Sequence, residues 1–379
     1  MSDALLLLFA TAIACLLVSI AGGRAIHFLR RICPERIDTA SPRLAGLHAT
    51  KAGTPSMGGL LIFGAWLAVV GLVCDFRQRG VLTAVAATCS FAALGACDDL
   101  IKARGCRRGL SARAKLSGQL AISVAVVLGA LATGVVAAPV HWLIYVPLVS
   151  LLITGMSNAV NVTDGLDGLA SGCGALVAIA LTVTAELLPS SDAFELGRNR
   201  QVALLAAVLT GSLLGFVRFN RSPARVFMGD TGSLPLGGLL ALLAVLLQCE
   251  ALFLLIGGVF LIELGSVVLQ VTWYRSTGHR LFRCAPLHHH FEFLGWPELT
   301  IVRRFWAAAA CFAVAGLLLV ASNDVHGHRR TGGVSLPVSA MLGRVRPARL
   351  GERRPTNDTV GGPVLASSLL PPYSLQAGR

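Results

Sequence analysis

Apolar and polar residues alternate along this chain in long blocks, not with the short period of a strand. Ten apolar stretches stand out, at 4–22, 57–74, 81–97, 116–138, 142–157, 166–188, 200–217, 233–248, 250–273 and 303–321. Each approaches the roughly 20 residues needed to cross hydrocarbon as a helix. Backbone groups in lipid have to be satisfied within their own segment, so all ten are predicted helices. The fold class expected is all-α: a polytopic membrane protein of about ten transmembrane helices. Residues 1–322 form that domain. The tail, 323–379, holds eight arginines, several Pro and Gly residues and no apolar span; it is read as basic and disordered.

Composition agrees. Of 379 residues 55% are hydrophobic and 13% charged, about half the charged share of a soluble domain. The net charge is +13, but the basic residues fall between apolar runs and not along one soluble face. They are topology signals first, with a secondary attraction for anionic membrane lipids, and nucleic acid is not an expected partner. The first span, lacking a basic flank before it, is read as uncleaved with its N-terminus outside. The five loops then placed in the cytoplasm carry 20 Lys and Arg, and the outer loops carry 4 (Arg77, Arg79, Arg198, Arg200). Ten cysteines are scattered without a Cys-x-x-Cys pair and read as small buried hydrophobes.

The polar residues that call for explanation gather in or beside the predicted cytoplasmic loops. A charge at mid-membrane costs roughly 2.5–3.5 kcal/mol, so acids at span ends are not incidental. Asp98-Asp99-Leu100-Ile101-Lys102 closes the third span; adjacent helical carboxylates point about 100° apart and serve different partners. Two acids beside a lysine suit a divalent cation or a phosphate-bearing site. Asn158, Asn161, Asp164 and Asp167 recur every third residue. In a helix they make one polar stripe; if Gly165 and Gly168 open the backbone they make a cradle with free amides. Asp230 opens the eighth span in Phe227-Met228-Gly229-Asp230-Thr231-Gly232-Ser233, where a helix N-terminus attracts phosphate and a carboxylate can hold a metal against it. Lys51-Ala52-Gly53-Thr54-Pro55 reads as an anion-holding turn. Pro286-Leu287-His288-His289-His290-Phe291-Glu292 puts three consecutive histidines in the last loop; they cannot all face one metal from a helix, but they suit phosphate oxygens. Neither a Walker A loop nor a Gly-x-Gly-x-x-Gly fingerprint occurs.

Together these motifs, over about residues 20–320, resemble the phospho-N-acetylmuramoyl-pentapeptide transferase family, within the polyprenyl-phosphate N-acetylhexosamine-1-phosphate transferases. The match runs through Lys51-x-Gly-Thr-Pro, Asp98-Asp99-x-x-Lys102, Asn161-x-Thr-Asp164-Gly-Leu-Asp167-Gly, Phe227-Met-Gly-Asp230-Thr-Gly-Ser and the histidine motif. The histidines favour the muramoyl branch over the sibling branch that uses UDP-N-acetylglucosamine. Ser56 and Val162 depart from the family's usual Thr and Leu, and the basic tail is foreign to its pattern.

The resemblance implies a Mg²⁺-dependent enzyme of the bacterial inner membrane, usually dimeric, with an active-site cleft facing the cytoplasm. UDP-N-acetylmuramoyl-pentapeptide and undecaprenyl phosphate would give lipid I and UMP, the first membrane step of peptidoglycan synthesis. It further implies Asp230 as the metal ligand, Asp98 as base or positioner of the lipid phosphate, Asp99 in support and His288 on the diphosphate. Lys102 and Lys115 would supply positive charge. Lys51, Asn161, Asp164, Gly165, Leu166, Asp167, Asn220, Phe227, His289 and His290 would bind substrate, with Phe227 able to stack on uracil. A direct attack and a two-step aspartyl-phosphate route stay open. A secondary transporter is disfavoured because the acids line one side and no repeat is evident.

Overall fold

The computed structural model describes residues 2–33, 51, 53–104 and 109–331, with side chains through 322. Among them are twelve α-helices and no β-strand: α1 (Asp3–Ile32), α2 (Gly59–Val73), α3 (Arg79–Ala103), α4 (Ala112–Ala132), α5 (Trp142–Thr163), α6 (Leu169–Leu187), α7 (Ala193–Asn220), α8 (Asp230–Leu246), α9 (Glu250–Ile256), α10 (Gly258–Thr277), α11 (Leu287–Phe293) and α12 (Glu298–Thr331). The all-helical, multi-pass reading holds. Of the predicted tail, 332–379 lie outside the described residues, while α12 runs past the expected boundary at 322.

The ten predicted segments all fall on helices, but they are not ten equal spans. Seven helices are long and apolar enough to cross a membrane: α1, α3, α4, α5, α6, α7 and α12. The segment predicted as one helix over 250–273 is instead two, α9 and α10, bent by 80° at Gly257. Helix α10 starts at Gly258, where the Phe312 ring lies so close that a Cβ would overlap it. Helices α2 and α8 have only 15 and 17 residues. Both begin inside the protein, where their entries run side by side. Gly58 N–H donates to Phe227 O at 2.8 Å, Gly59 N–H to Met228 O at 2.9 Å and Phe227 N–H to Pro55 O at 2.8 Å.

Helices α7 and α8 form the core. All of α8 is buried, packed on α3 and α5, and α7 lies between α1 and α6. Helices α1, α4 and α12 are mostly exposed, and Leu8, Leu72 and Leu318 stand out from the bundle, as lipid-facing side chains do. Polar side chains buried between α4 and α5 satisfy one another. Asn158 donates to Gln119 Oε1 at 2.8 Å and Ser123 meets Thr154 at 2.9 Å. In hydrocarbon the alternative would be an unpaired group, so such pairs fix helix registry.

From Arg79 to Asp98 along α3 is about 29 Å at 1.5 Å per residue. The arginines at the start of α3 and the acids near its end therefore lie at opposite ends of the bundle. At the acid end meet the end of α3, the starts of α4 and α8, and the end of α5.

Candidate active site

Two close approaches bring the acids together. A Cβ at Gly95, one turn before Asp99, would overlap the main-chain carbonyl of Asp230. Only glycine lets α3 meet the start of α8 so closely. Gly229, just before α8, has φ +69°, a conformation favoured only by glycine, and a Cβ there would come 2.7 Å from Asp99 Oδ2. Asp99 caps the helix thus positioned. It accepts the N–H of Asp230 at 3.2 Å, the N–H of Thr231 at 2.9 Å and the hydroxyl of Thr231 at 2.7 Å. These satisfy donors that a helix start leaves open.

Around that cap sits a cluster of three acids and two lysines. Oxygens of Asp98, Asp99 and Asp230 lie within 4.8 Å of one another, and all three residues are buried. Lys102 Nζ is 2.7 Å from Asp98 Oδ2 and 3.0 Å from Asp230 Oδ2. Lys115, from α4, pairs with Asp230 and stands 3.6 Å from Asp98. Asn161, at the end of α5, donates to Asp230 Oδ1 at 2.6 Å and to Ser233 at 2.8 Å. The N–H of Leu110 donates to Asp98 Oδ1 at 2.6 Å. Such a set binds hard cations through its carboxylates and phosphate through its lysines.

The turn after α5 carries the second cluster. Asp164 caps α5, and Gly168 opens α6. The polar stripe of Asn158 and Asn161 is helical and the chain turns after Asp164, but the N–H groups of Asp164, Asp167 and Gly168 are all engaged within the protein, so they make no cradle of free amides. Lys51 Nζ bridges Asp167 at 2.8 Å and Glu298 at 2.7 Å. Burial opposes the Lys51 charge, but the Asp167 and Glu298 carboxylates outweigh it and hold its pKa above the usual lysine value. Asp167 also accepts the N–H of Ala224 at 2.9 Å, and its own N–H donates to Glu298 at 2.8 Å.

A family model described as "Glycosyl transferase family 4" matches residues 81–248, and one described as "Phospho-N-acetylmuramoyl-pentapeptide-transferase signature 1" matches residues 51–63. Among curated relatives, a phospho-N-acetylmuramoyl-pentapeptide-transferase of Halalkalibacterium halodurans is 41% identical over 309 residues, 78% of this chain and 91% of the relative. Others bearing the same name come from Moorella thermoacetica, 42% identical over 81% of this chain and 96% of the relative, and Desulforudis audaxviator, 39% identical over 82% and 97%. The chain belongs to the phospho-N-acetylmuramoyl-pentapeptide-transferase family.

The family signature at 51–63 thus contains Lys51 and the entry of α2, while the broader match spans both acid motifs. Not every residue expected at the site is free to reach a ligand. Asn220 is buried and braced inside the protein: its Oδ1 accepts from Ser171 at 2.8 Å and Gly168 N–H at 3.2 Å, and its Nδ2 donates to Val226 O at 3.0 Å. Leu166 is buried in the core. Phe227, half-buried, lies beside the entry of α2. The histidines divide, His288 and His289 lying together at the Gly165 turn and His290 away from them. His288 is fully buried against Glu263, His289 pairs with Glu292 at 2.6 Å, and His290 accepts the N–H of Arg283 at 3.1 Å while its ring meets Phe282 edge-on. Sequence reasoning assigned no site role to Glu298, Glu263, Thr231, Ser233 or Glu292. Glu263, a lone acid inside an apolar run, carried a visible signal. Glu298, in the first turn of the last span, carried a weaker one.

Proposed function

We propose that this protein transfers phospho-N-acetylmuramoyl-pentapeptide from its UDP-linked donor to undecaprenyl phosphate, giving lipid I and UMP at the cytoplasmic face of the bacterial inner membrane. One observation carries the reading: Asp98, Asp99 and Asp230 from two separate helices, with Lys102 and Lys115, converge on a single centre at one end of the bundle. Family membership and the His288–His290 motif support the muramoyl donor over UDP-N-acetylglucosamine.

In the reaction, an oxygen of the lipid phosphate forms a bond to the sugar-bearing phosphorus of the donor. The bond from that phosphorus to the bridging oxygen breaks, and UMP leaves with the electron pair. A lipid phosphate is already ionised at neutral pH, so bringing two anions together is the main difficulty, and positioning and charge neutralisation dominate. Lys102 and Lys115 supply positive charge. Asp98 has one oxygen held by Leu110 N–H and the other against Lys102, an engagement that favours positioning over nucleophilic attack. The donor set of three clustered carboxylates fits a hard divalent cation. Asp230 and Asp98, backed by Asp99, would hold Mg²⁺, which supplies charge neutralisation at the diphosphate when bound. Lys51, Asp164 and Phe227 are assigned to the nucleoside of the donor, where an aromatic ring such as Phe227 can stack on uracil.

Purified protein given undecaprenyl phosphate and either radiolabelled donor tests this. Lipid product is expected from UDP-N-acetylmuramoyl-pentapeptide, and product from UDP-N-acetylglucosamine alone would reject the reading.

A further inference from the structure

Glu263 lies within α10, inside the bundle, with no exposed surface. A carboxylate there is costly unless its oxygens are engaged. Both are engaged by one residue: Oε1 accepts the main-chain N–H of His288 at 3.1 Å, and Oε2 lies 3.0 Å from His288 Nδ1. An ionised carboxylate can only accept, so Nδ1 carries the ring proton.

That leaves His288 Nε2. The residue is fully buried, and Nε2 has no hydrogen-bond partner. Buried polar atoms in folded proteins are paired in the great majority of cases, and an atom without a protein partner takes one from outside the fold, a water or a ligand. The orphan is aimed at the Gly165 turn. A Cβ at Gly165 would overlap Nε2, and it would also stand 3.3 Å from His289 Nε2. His289 lies with its ring 4.2 Å from that of His288 and is itself held by Glu292, and the Cys173 thiol of α6 is near Glu263.

We infer that Glu263 is a positioning residue for transfer: it fixes the orientation and tautomer of His288 so that Nε2 meets a phosphate oxygen of the donor at the Gly165 turn. On donor binding the ring takes one proton from solvent at Nε2, and Glu263 balances the resulting charge. Nε2 then donates a charge-assisted hydrogen bond. This rests on the transferase reading above and adds a residue to it.

The test is kinetic. E263Q keeps the shape and removes the charge; kcat for UMP release is expected to fall about 10- to 100-fold, the usual size of an effect through a supporting residue. E263D should recover most of that loss. In an H288N background E263Q should have no further effect, because the two act as one unit. Turnover of E263Q within twofold of wild type would overturn the inference, as would a loss in H288N equal to that in the wild type. Should E263Q fail to fold in detergent, ¹⁵N spectra of histidine-labelled wild-type protein decide, with the His288 signal assigned by its absence in H288N. A protonated Nδ1 supports the inference and a bare Nδ1 overturns it. A wild-type protein inactive on the donor would instead reject the functional reading.

Discussion

Asp99, near the end of α3, accepts both the main-chain N–H of Thr231 at 2.9 Å and its hydroxyl at 2.7 Å, so a carboxylate from one helix caps the start of another. The cap and the cluster of acids and lysines are therefore one construction. Whatever fixes α8 also fixes Asp230, the carboxylate that both lysines address.

Substitution should separate the two roles of Asp99. Asn is as good an N-cap as Asp, whereas Ala forfeits the cap at about 0.5–2 kcal/mol. D99A should melt earlier in detergent and lose transfer. D99N can keep the two bonds from Thr231 but turns its amide N–H2 towards the Asp230 N–H, so it should melt between D99A and the wild type and still lose most transfer, because its charge is gone. Equal activity in D99N and wild type would reduce Asp99 to a cap.

Gly95 is the contact point of α3 and α8. Alanine normally favours a helix interior over glycine by roughly 0.5–1 kcal/mol. Here a methyl group would overlap the Asp230 carbonyl, and overpacking typically costs about 1–3 kcal/mol. G95A is expected to lower stability and to impair transfer through displaced Asp230. Thermal unfolding monitored by circular dichroism checks the sign; a stabilised G95A would refute the close approach.

The Lys51 bridge holds the 164–168 turn to the start of α12. K51M leaves Asp167 and Glu298 facing each other without their cation, and should destabilise by about 1–3 kcal/mol. Because the folded pKa of Lys51 is raised, its contribution is fully present below the ordinary value of 10.5 and is lost only as pH rises through the higher folded value. The gap in melting temperature between wild type and K51M should stay constant from about pH 7 to about pH 10 and narrow above that. A gap that closes near neutrality would contradict the bridge.

Much of this architecture was legible in the sequence, for a definable reason. Apolar length dictates helices in lipid, and the penalty on charge near a span makes residues such as Asp98, Asp99, Lys102 and Asp230 conspicuous. What was not legible depends on partners distant in the chain. Nothing local tells that Lys51 reaches Glu298, that Glu263 holds His288, or that Asn220 makes three hydrogen bonds bracing Gly168, Ser171 and Val226. At the 80° bend Gly258 lies against the Phe312 ring, a contact that hydropathy does not see. The short α2 and α8 follow from starting inside the protein, where Gly58 and Gly59 pair with Phe227 and Met228.

Release of UMP from UDP-N-acetylmuramoyl-pentapeptide by purified protein, followed with undecaprenyl phosphate and Mg²⁺ present or withheld, in wild type and D230N, tests the shared centre most directly. Turnover should require both additions and fall at least about 100-fold in D230N, with the variant still folded. Undiminished release from D230N, or from wild type stripped of divalent cations, would contradict it.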